Sequence, residues 1–222
     1  MTSGKEIIGL VAARQDREQF RRKNWIGTFE EYLDVVKQNP LVTRTAYQRL
    51  YDMILSYGTE TIDHGRDSHV HYKFFNDPDN AGRDAVFGLD DTLRQLVNAL
   101  KSAAKGYGIE RRVLLLHGPV GSSKSTIARL LKKGLEKYST TDEGALYTLG
   151  WVSEEDPQNL DAVTWCPMNE EPLHLIPQRF RPDVEAQLNA GRGEDDFQVK
   201  ITGELDPFCR FMYHERLKKY DG

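Results

Sequence analysis

Four segments of the chain place apolar residues at the spacing of an amphipathic helix. They are residues 28–39, 44–57, 89–105 and 124–138. Thr28, followed three residues later by Glu31, forms a capping box at the start of the first segment. Asp206 provides a cap for a fifth helix that extends to about residue 220. The pattern therefore predicts helices early in the chain, in its middle and near its end.

Short apolar runs between these helices predict strands. Three such runs lie at residues 112–117, 145–149 and 197–201. Residues 59–85 are rich in Asp, His, Gly and Asn, and they predict a loop or a weak hairpin. Strands interspersed with helices indicate an α/β fold.

One predicted strand, residues 112–117, leads into the segment HGPVGSSKST, residues 117–126, and then into a helix. A strand followed by a glycine-rich loop and a lysine is typical of a loop that binds nucleotide phosphates. The usual pattern is G-x-x-x-x-G-K-[ST], and Ser123 takes the place of its second glycine. Because a serine adopts left-handed torsions at a cost of ~1–2 kcal/mol, we expect weakened or altered binding but not its loss.

The loop positions have distinct candidate roles. Gly118 and Gly121 allow the backbone to approach phosphates closely. Lys124 can reach the β- and γ-phosphates, and the Ser125 hydroxyl is placed to bind Mg²⁺. The candidate cofactor-binding residues of the loop are Gly118, Pro119, Val120, Gly121, Ser122, Ser123, Lys124, Ser125 and Thr126.

Composition narrows the range of partners. The formal net charge of -4 gives no general attraction to nucleic acid or to anionic membranes. No stretch approaches the ~18 apolar residues of a membrane span, and the N-terminus lacks the core of a signal peptide. We therefore expect a cytoplasmic protein. Cys166 and Cys209 have no metal-like spacing, so we expect two reduced thiols.

A phosphate loop alone does not cleave ATP. Hydrolysis by such proteins also needs an apolar strand that ends in Asp or Asp-Glu, which holds Mg²⁺ and orients water. Between Ser125 and Gly222 no strand of this kind is evident. The catalytic residues are therefore unassigned, and we expect the sequence to be the front part of a longer protein.

Four motifs together carry a family resemblance. They are Trp25-x-Gly27-Thr28-Phe29, Phe87-Gly88-Leu89, Gly118-Pro119-Val120-Gly121-x-x-Lys124-Ser125 and Cys166-Pro167-Met168-Asn169-Glu170-Glu171-Pro172-Leu173-His174-Leu175-Ile176-Pro177. This combination resembles PrkA, the bacterial serine protein kinase family with an AAA+ ATPase domain. The resemblance extends from about Trp25 to the end of the chain, and the 166–177 segment is its more specific part.

The resemblance implies a fold and a set of ligands. The expected fold class is an α/β, AAA+-type P-loop NTPase core, incomplete here, with an N-terminal helical region. The expected divisions are residues 1–60 for the helical region, 61–84 for a linker and 85–222 for the nucleotide-binding domain. The implied cofactors are ATP and Mg²⁺, with Phe87 and Gly88 beside the adenine. AAA+ proteins commonly form homo-oligomeric rings, in which a neighbour's arginine completes each site.

The resemblance leaves three functions open. The first is the ATP-binding module of a serine/threonine protein kinase with an unknown protein substrate and a role in stress response or sporulation. The second is an AAA+ ATPase that drives protein remodelling or ATP-dependent proteolysis without kinase activity. The third is a regulatory module that nucleotide only stabilises.

Three of the polar residues in the 166–177 segment have ordinary structural interpretations. Glu170 and Glu171 are expected to be surface carboxylates, although an approach to Mg²⁺ or substrate is conceivable. His174 is expected to order the proline-rich segment through a hydrogen bond.

Overall fold

Helices predominate in the computed structural model, which describes residues 24–64, 67–157, 159–193 and 195–220. In the part of the chain that it describes, the α-helices are α1 (Phe29–Gln38), α2 (Ala46–Ser56), α3 (Asp90–Ala104), α4 (Lys124–Tyr138), α5 (Arg181–Leu188) and α6 (Pro207–Lys219). Two antiparallel strand pairs accompany them: β1 (Thr59–His64) with β2 (Asp67–Tyr72), and β3 (Gly150–Trp151) with β4 (Thr164–Trp165). None of the described helices is long and apolar enough to cross a membrane.

The chain divides into two compact units. The loop unit comprises residues 41–146, and the terminal unit comprises residues 1–40 together with 147–222. The phosphate loop belongs to the loop unit, and the 166–177 segment belongs to the terminal unit. The first 23 residues of the predicted N-terminal helical region lie outside the described residues. The domain divisions expected from the sequence, at residues 60 and 85, stay a prediction.

Helices α2, α3 and α4 pack around one apolar core in the loop unit. Met53 and Ile54 of α2, Val97 of α3 and Ile127 of α4 are at most 3% exposed. Phe75, which follows β2, is fully buried in the same core. Because three helices share these contacts, the start of α4 has a fixed position relative to the rest of the unit.

A buried arginine fixes the other end of α4. The Arg44 guanidinium donates to a carboxylate oxygen of Asp52 at 2.5 Å and to the Tyr138 hydroxyl at 3.1 Å. It also donates to the backbone carbonyl of Glu143. Tyr138 is the last residue of α4, so this charge-assisted network ties the C-terminal end of the helix to the segment that precedes α2.

In the terminal unit, α1 buries Tyr32 and Val36. The Tyr32 ring packs against Tyr147 with a centroid separation of 5.3 Å, and its hydroxyl donates to Glu171. A second cluster forms where Leu149, Cys166, Leu205 and Cys209 meet. The β3–β4 pair and the start of α6 are thereby joined around a small buried centre.

The predicted helices are confirmed. Both members of the capping box at Thr28 are present, since Glu31 accepts from the Thr28 N–H and donates its own N–H to the Thr28 hydroxyl oxygen. Asp206 caps α6 as expected. The weak hairpin predicted within residues 59–85 is the β1–β2 pair.

The three predicted strands at residues 112–117, 145–149 and 197–201 were wrong, because these residues form no strand in the structure. Val113 is 93% exposed and Leu115 is 81% exposed, and no described strand pairs with them. An extended segment becomes a stable strand only when a neighbour satisfies its backbone hydrogen bonds. The described residues therefore contain no parallel sheet.

A side chain replaces the missing neighbour strand at residues 197–201. The Asn189 amide accepts from the Val199 N–H at 2.8 Å and donates to the Val199 carbonyl at 2.9 Å. Glu185 accepts from the Ile201 N–H. Because α5 and the residue after it satisfy these backbone groups, Val199 and Ile201 are buried without belonging to a sheet.

Candidate functional site

The phosphate-loop segment turns sharply into α4. Gly121 has a φ of 86°, and Ser123 has φ 55° and ψ 10°, which places both in the left-handed region. Ser123 is the N-cap of α4, so the backbone enters the helix directly from this conformation. The sequence had predicted left-handed torsions at Ser123, where the usual pattern has glycine, and the structure has them.

The Lys124 side chain folds back over the loop. Its ammonium donates to the carbonyls of Gly118 at 2.8 Å and Pro119 at 2.5 Å, and to the Ser122 hydroxyl at 2.8 Å. A β-carbon at Gly118 would lie 2.7 Å from the Ser122 hydroxyl oxygen, so a side chain there would displace this hydroxyl from its contact with Lys124. The cation thus lies within the curve of the loop, where its hydrogen-bond partners among the described residues are all neutral oxygens.

The first turn of α4 is free of negative charge. It contains no acidic residue, and no side chain caps its N-terminus. Every other described α-helix has an acidic residue in its first turn or a side-chain cap. The first N–H groups of a helix need partners and carry positive partial charge, so this end of α4 suits an anion.

The remaining loop residues are accessible. Pro119, Val120 and Ser125 are exposed, and Thr126 is half-buried. The Ser125 hydroxyl belongs to the second residue of α4. It is accessible to solvent.

Phe87 and Gly88 lie in the same unit as the loop. Phe87 is 80% exposed, while its neighbours Val86 and Leu89 pack into the core shared with α4. Asp84 also accepts hydrogen bonds from Arg129 and Lys133 of α4. These contacts anchor the segment that precedes α3 on the helix that begins at the loop.

The terminal unit contains an open cleft of about 680 Å³. Trp151, Glu154, Arg216 and Lys219 are among its lining residues. An ion pair joins Lys219 to Glu154, and Arg216 donates to the Val152 carbonyl. These two cations of the cleft therefore already have partners. This cleft and the phosphate-loop segment thus belong to different units.

The glutamates of the 166–177 segment are not surface carboxylates, which corrects the expectation for Glu170 and Glu171. The Glu170 side chain is 19% exposed and bonds to His174 Nδ1 at 2.7 Å. Burial raises the pKa of Glu171 above its ordinary value, against the opposing effect of the Tyr32 hydroxyl that donates to it. His174 also contacts the Thr202 carbonyl through Nε2 at 2.8 Å, so its predicted ordering role is confirmed.

Sequence reasoning missed one constellation, formed by Cys166, Asp206 and Cys209. The three side chains are buried, and their ligand atoms lie within 4.8 Å of one another. Both cysteines are free, and burial raises the pKa of the Cys209 thiol to about 12. The two cysteines are far apart in sequence, so spacing alone gave no signal for this cluster.

Comparison with known proteins places these features in a family. The model of the PrkA AAA domain matches residues 27–222. The chain is 38% identical over 192 residues to the ATP-dependent protease PrkA of Bacillus subtilis. This alignment covers 86% of this chain and 25% of that protein. It is 30% identical over 102 residues to the serine/threonine kinase YeaG of Escherichia coli K12. That alignment covers 46% of this chain and 13% of the kinase.

A further relative is an uncharacterised protein encoded upstream of gldA in Geobacillus stearothermophilus. It is 39% identical over 105 residues, which cover 47% of this chain and 97% of that protein. The chain spans about a quarter of the length of the B. subtilis relative. No solved structure matches it. Since the family model covers most of the sequence, the chain belongs to the PrkA AAA domain family.

Proposed function

We propose that residues 118–126 bind the phosphates of ATP together with Mg²⁺. One observation carries the proposal: an uncapped helix end without acidic residues lies beside the folded-back ammonium of Lys124. Both features favour a polyanion, because they combine unsatisfied N–H donors, a helix dipole and a full positive charge.

Binding exchanges one set of hydrogen bonds for another. The Lys124 ammonium leaves the neutral carbonyls of Gly118 and Pro119 and donates to phosphate oxygens. Bonds to charged acceptors are stronger, so the exchange is favourable. The Ser125 hydroxyl would hold Mg²⁺, which supplies charge neutralisation at the phosphates when bound. Phe87 and Gly88 would lie beside the adenine.

We further propose that this nucleotide-binding module serves a serine/threonine protein kinase. Support comes from membership of the PrkA AAA domain family and from the E. coli relative named a serine/threonine kinase. The chain matches only 25% of the B. subtilis relative. Residues that transfer the phosphoryl group are therefore proposed to lie outside the matched portion, or in a neighbouring subunit of a homo-oligomer.

A second candidate function is ATP-dependent proteolysis or remodelling without phosphoryl transfer. A specific observation favours it: the B. subtilis relative, which matches more of the chain than the E. coli kinase does, is named an ATP-dependent protease. Both candidates require the same phosphate loop, so they differ only in the reaction that the bound ATP drives.

The loop assignment is tested by the affinity for MgATP of the variant Lys124→Ala. Losing a charged hydrogen-bond donor costs ~1.5–3 kcal/mol, so the dissociation constant should rise by about one to two orders of magnitude. The control is Lys132→Ala, because Lys132 lies exposed on the same helix. Equal affinity of the wild type and Lys124→Ala for MgATP would reject the assignment.

The two candidate functions are separated with the full-length protein, ATP labelled on its γ-phosphate and a generic protein substrate. Label on substrate serine or threonine supports the kinase. Release of labelled phosphate with cleavage or unfolding of the substrate, and no transfer, supports the second candidate. Thermal stabilisation by ATP without turnover would contradict both and leave a regulatory module.

A further inference from the structure

Three groups that bind metals converge at the start of α6, apart from the phosphate loop. Cys166 is 3% exposed, Asp206 is 7% exposed and Cys209 is 0% exposed. Their ligand atoms all lie within 4.8 Å of one another. In a tetrahedral zinc site, with Zn–S bonds of ~2.3 Å, two sulfurs are separated by ~3.8 Å. The three groups therefore need move by only about 1 Å to surround one ion.

The Asp206 carboxylate is already oriented for this role. Its Oδ1 accepts the N–H groups of Phe208 at 2.9 Å and Cys209 at 3.1 Å, which caps α6. Its Oδ2 points to the Cys166 thiol, whose S–H donates to it at 3.1 Å. One oxygen thus holds the side chain in place while the other faces the cluster.

Both sulfurs also have an N–H donor behind them. The Glu170 N–H donates to Cys166 Sγ at 3.3 Å, and the Trp151 indole N–H donates to Cys209 Sγ at 3.5 Å. Such bonds stabilise negative charge on sulfur and orient ligands in the manner of an outer shell.

Charge balance also favours a divalent cation. Without metal, the cluster contains one carboxylate and two thiols, with a net charge of about -1. A dication bound to two thiolates and the carboxylate gives the same net charge of about -1, since two S–H protons are released for one ion. Metal binding therefore adds no net charge to a buried site, which removes the main cost of placing an ion there.

We propose that Cys166, Asp206 and Cys209 bind one zinc ion. Two sulfurs and one oxygen suit zinc and exclude hard cations such as Mg²⁺ and Ca²⁺. A water molecule completes the tetrahedron. The ion links the segment after β4 to the start of α6, and so fixes the beginning of the 166–177 segment. Apolar contacts from Leu149, Leu175 and Leu205 enclose the cluster.

The proposal is tested by titrating the full chain with Co²⁺ under reducing conditions. One equivalent should produce a sulfur-to-cobalt charge-transfer band in the near ultraviolet, and Zn²⁺ should abolish it. Cys166→Ser and Cys209→Ser should each lose the band. Absence of the band from the wild type, or its persistence in both cysteine variants, overturns the proposal.

Two further variants guard against loss of folding in the cysteine variants. Trp151→Phe removes the indole N–H behind Cys209 but keeps an aromatic ring in the cluster, and it should weaken zinc affinity by ~10–100-fold. Asp206→Asn keeps a capping oxygen but loses the anionic ligand, so it should lower the zinc-induced rise in melting temperature. The matched control is Asp183→Asn, at the start of α5, which should keep the full rise. Unchanged zinc affinity in Trp151→Phe and an unchanged rise in Asp206→Asn contradict the site.

Discussion

The backbone of Ser123 determines how the phosphate loop enters α4. Its φ of 55° lies in the left-handed region, which costs a residue with a β-carbon ~1–2 kcal/mol. The conformation lets the chain turn so that Lys124 returns to the carbonyls of Gly118 and Pro119. The strain is thus located at the residue that joins the loop to the helix.

Replacing Ser123 with glycine should relieve this strain. Glycine adopts the left-handed region without steric cost but is more flexible in the unfolded chain, so Ser123→Gly should stabilise the loop unit by ~0.5–1 kcal/mol. Urea denaturation followed by far-ultraviolet circular dichroism measures the change. Ser122→Gly is the control, because Ser122 has no positive φ and its hydroxyl bonds to Pro119 and Lys124. A stability loss in Ser123→Gly equal to that of the control would refute the strain.

At the scale of elements, α4 links the loop to the core through close packing. Gly134 lies on the buried face of this helix. A β-carbon built there would lie 2.6 Å from the Phe74 ring and 2.8 Å from the Met53 sulfur. The absence of a side chain at this position therefore lets α4 approach α2 and the turn that follows β2.

The variant Gly134→Ala should destabilise the protein although alanine is the better helix former. Alanine gains ~1 kcal/mol of helix propensity, whereas overpacking costs ~1–3 kcal/mol. We expect a net loss that circular dichroism during urea denaturation will detect. The control is Ala128→Gly, on the exposed face of α4, which measures the effect of helix propensity without a change in core packing. A gain of stability in Gly134→Ala would show that the packing around α4 is looser than the structure indicates.

Helices were predictable from the sequence because their determinants are local. The cap at Thr28 and the apolar spacing before Asn39 lie within one short segment. Strands depend on distant partners, and the apolar run from Val113 to Leu116 has none among the described residues. The Asn189 amide takes the place of a partner strand for Val199, and no sequence pattern predicts this contact.

The candidate site was predictable in the same local sense. The left-handed Ser123 and the position of Lys124 at the start of a helix follow from contiguous residues. The burial of Glu171 against Tyr32 and the meeting of Cys166 with Cys209 depend on tertiary contacts. These contacts join residues that are distant in sequence, so no local pattern predicted them.

At the scale of the whole molecule, Glu171 couples folding to pH. Burial raises its folded pKa above the ordinary value of 4.5. The folded state therefore holds the proton more tightly than the unfolded state, and stability falls as pH rises from about 4.5 through the raised pKa. Above the raised pKa the buried carboxylate is ionised in the folded state, and the pH-dependent loss of stability is complete.

The variant Glu171→Gln should remove this fall while its amide oxygen still accepts from the Tyr32 hydroxyl. Urea midpoints of wild type and variant should converge near pH 4, and the variant should be the more stable at pH 8. Trp fluorescence is a suitable probe, because all three tryptophans, Trp25, Trp151 and Trp165, belong to the terminal unit. Glu204→Gln, at an exposed ion pair, is the control. A pH dependence that is identical in wild type and Glu171→Gln would contradict the assignment.

Every candidate function requires that the backbone of the phosphate loop hold the phosphates of ATP. Hydrogen exchange of backbone amides, measured by mass spectrometry with and without MgATP, tests this requirement at the loop itself. We expect slower exchange at residues 120–126 with MgATP, and no such slowing in Lys124→Ala. Protection that appears instead around the cleft of Trp151 and Arg216, or bound MgATP with unchanged exchange in the loop, would contradict the assignment.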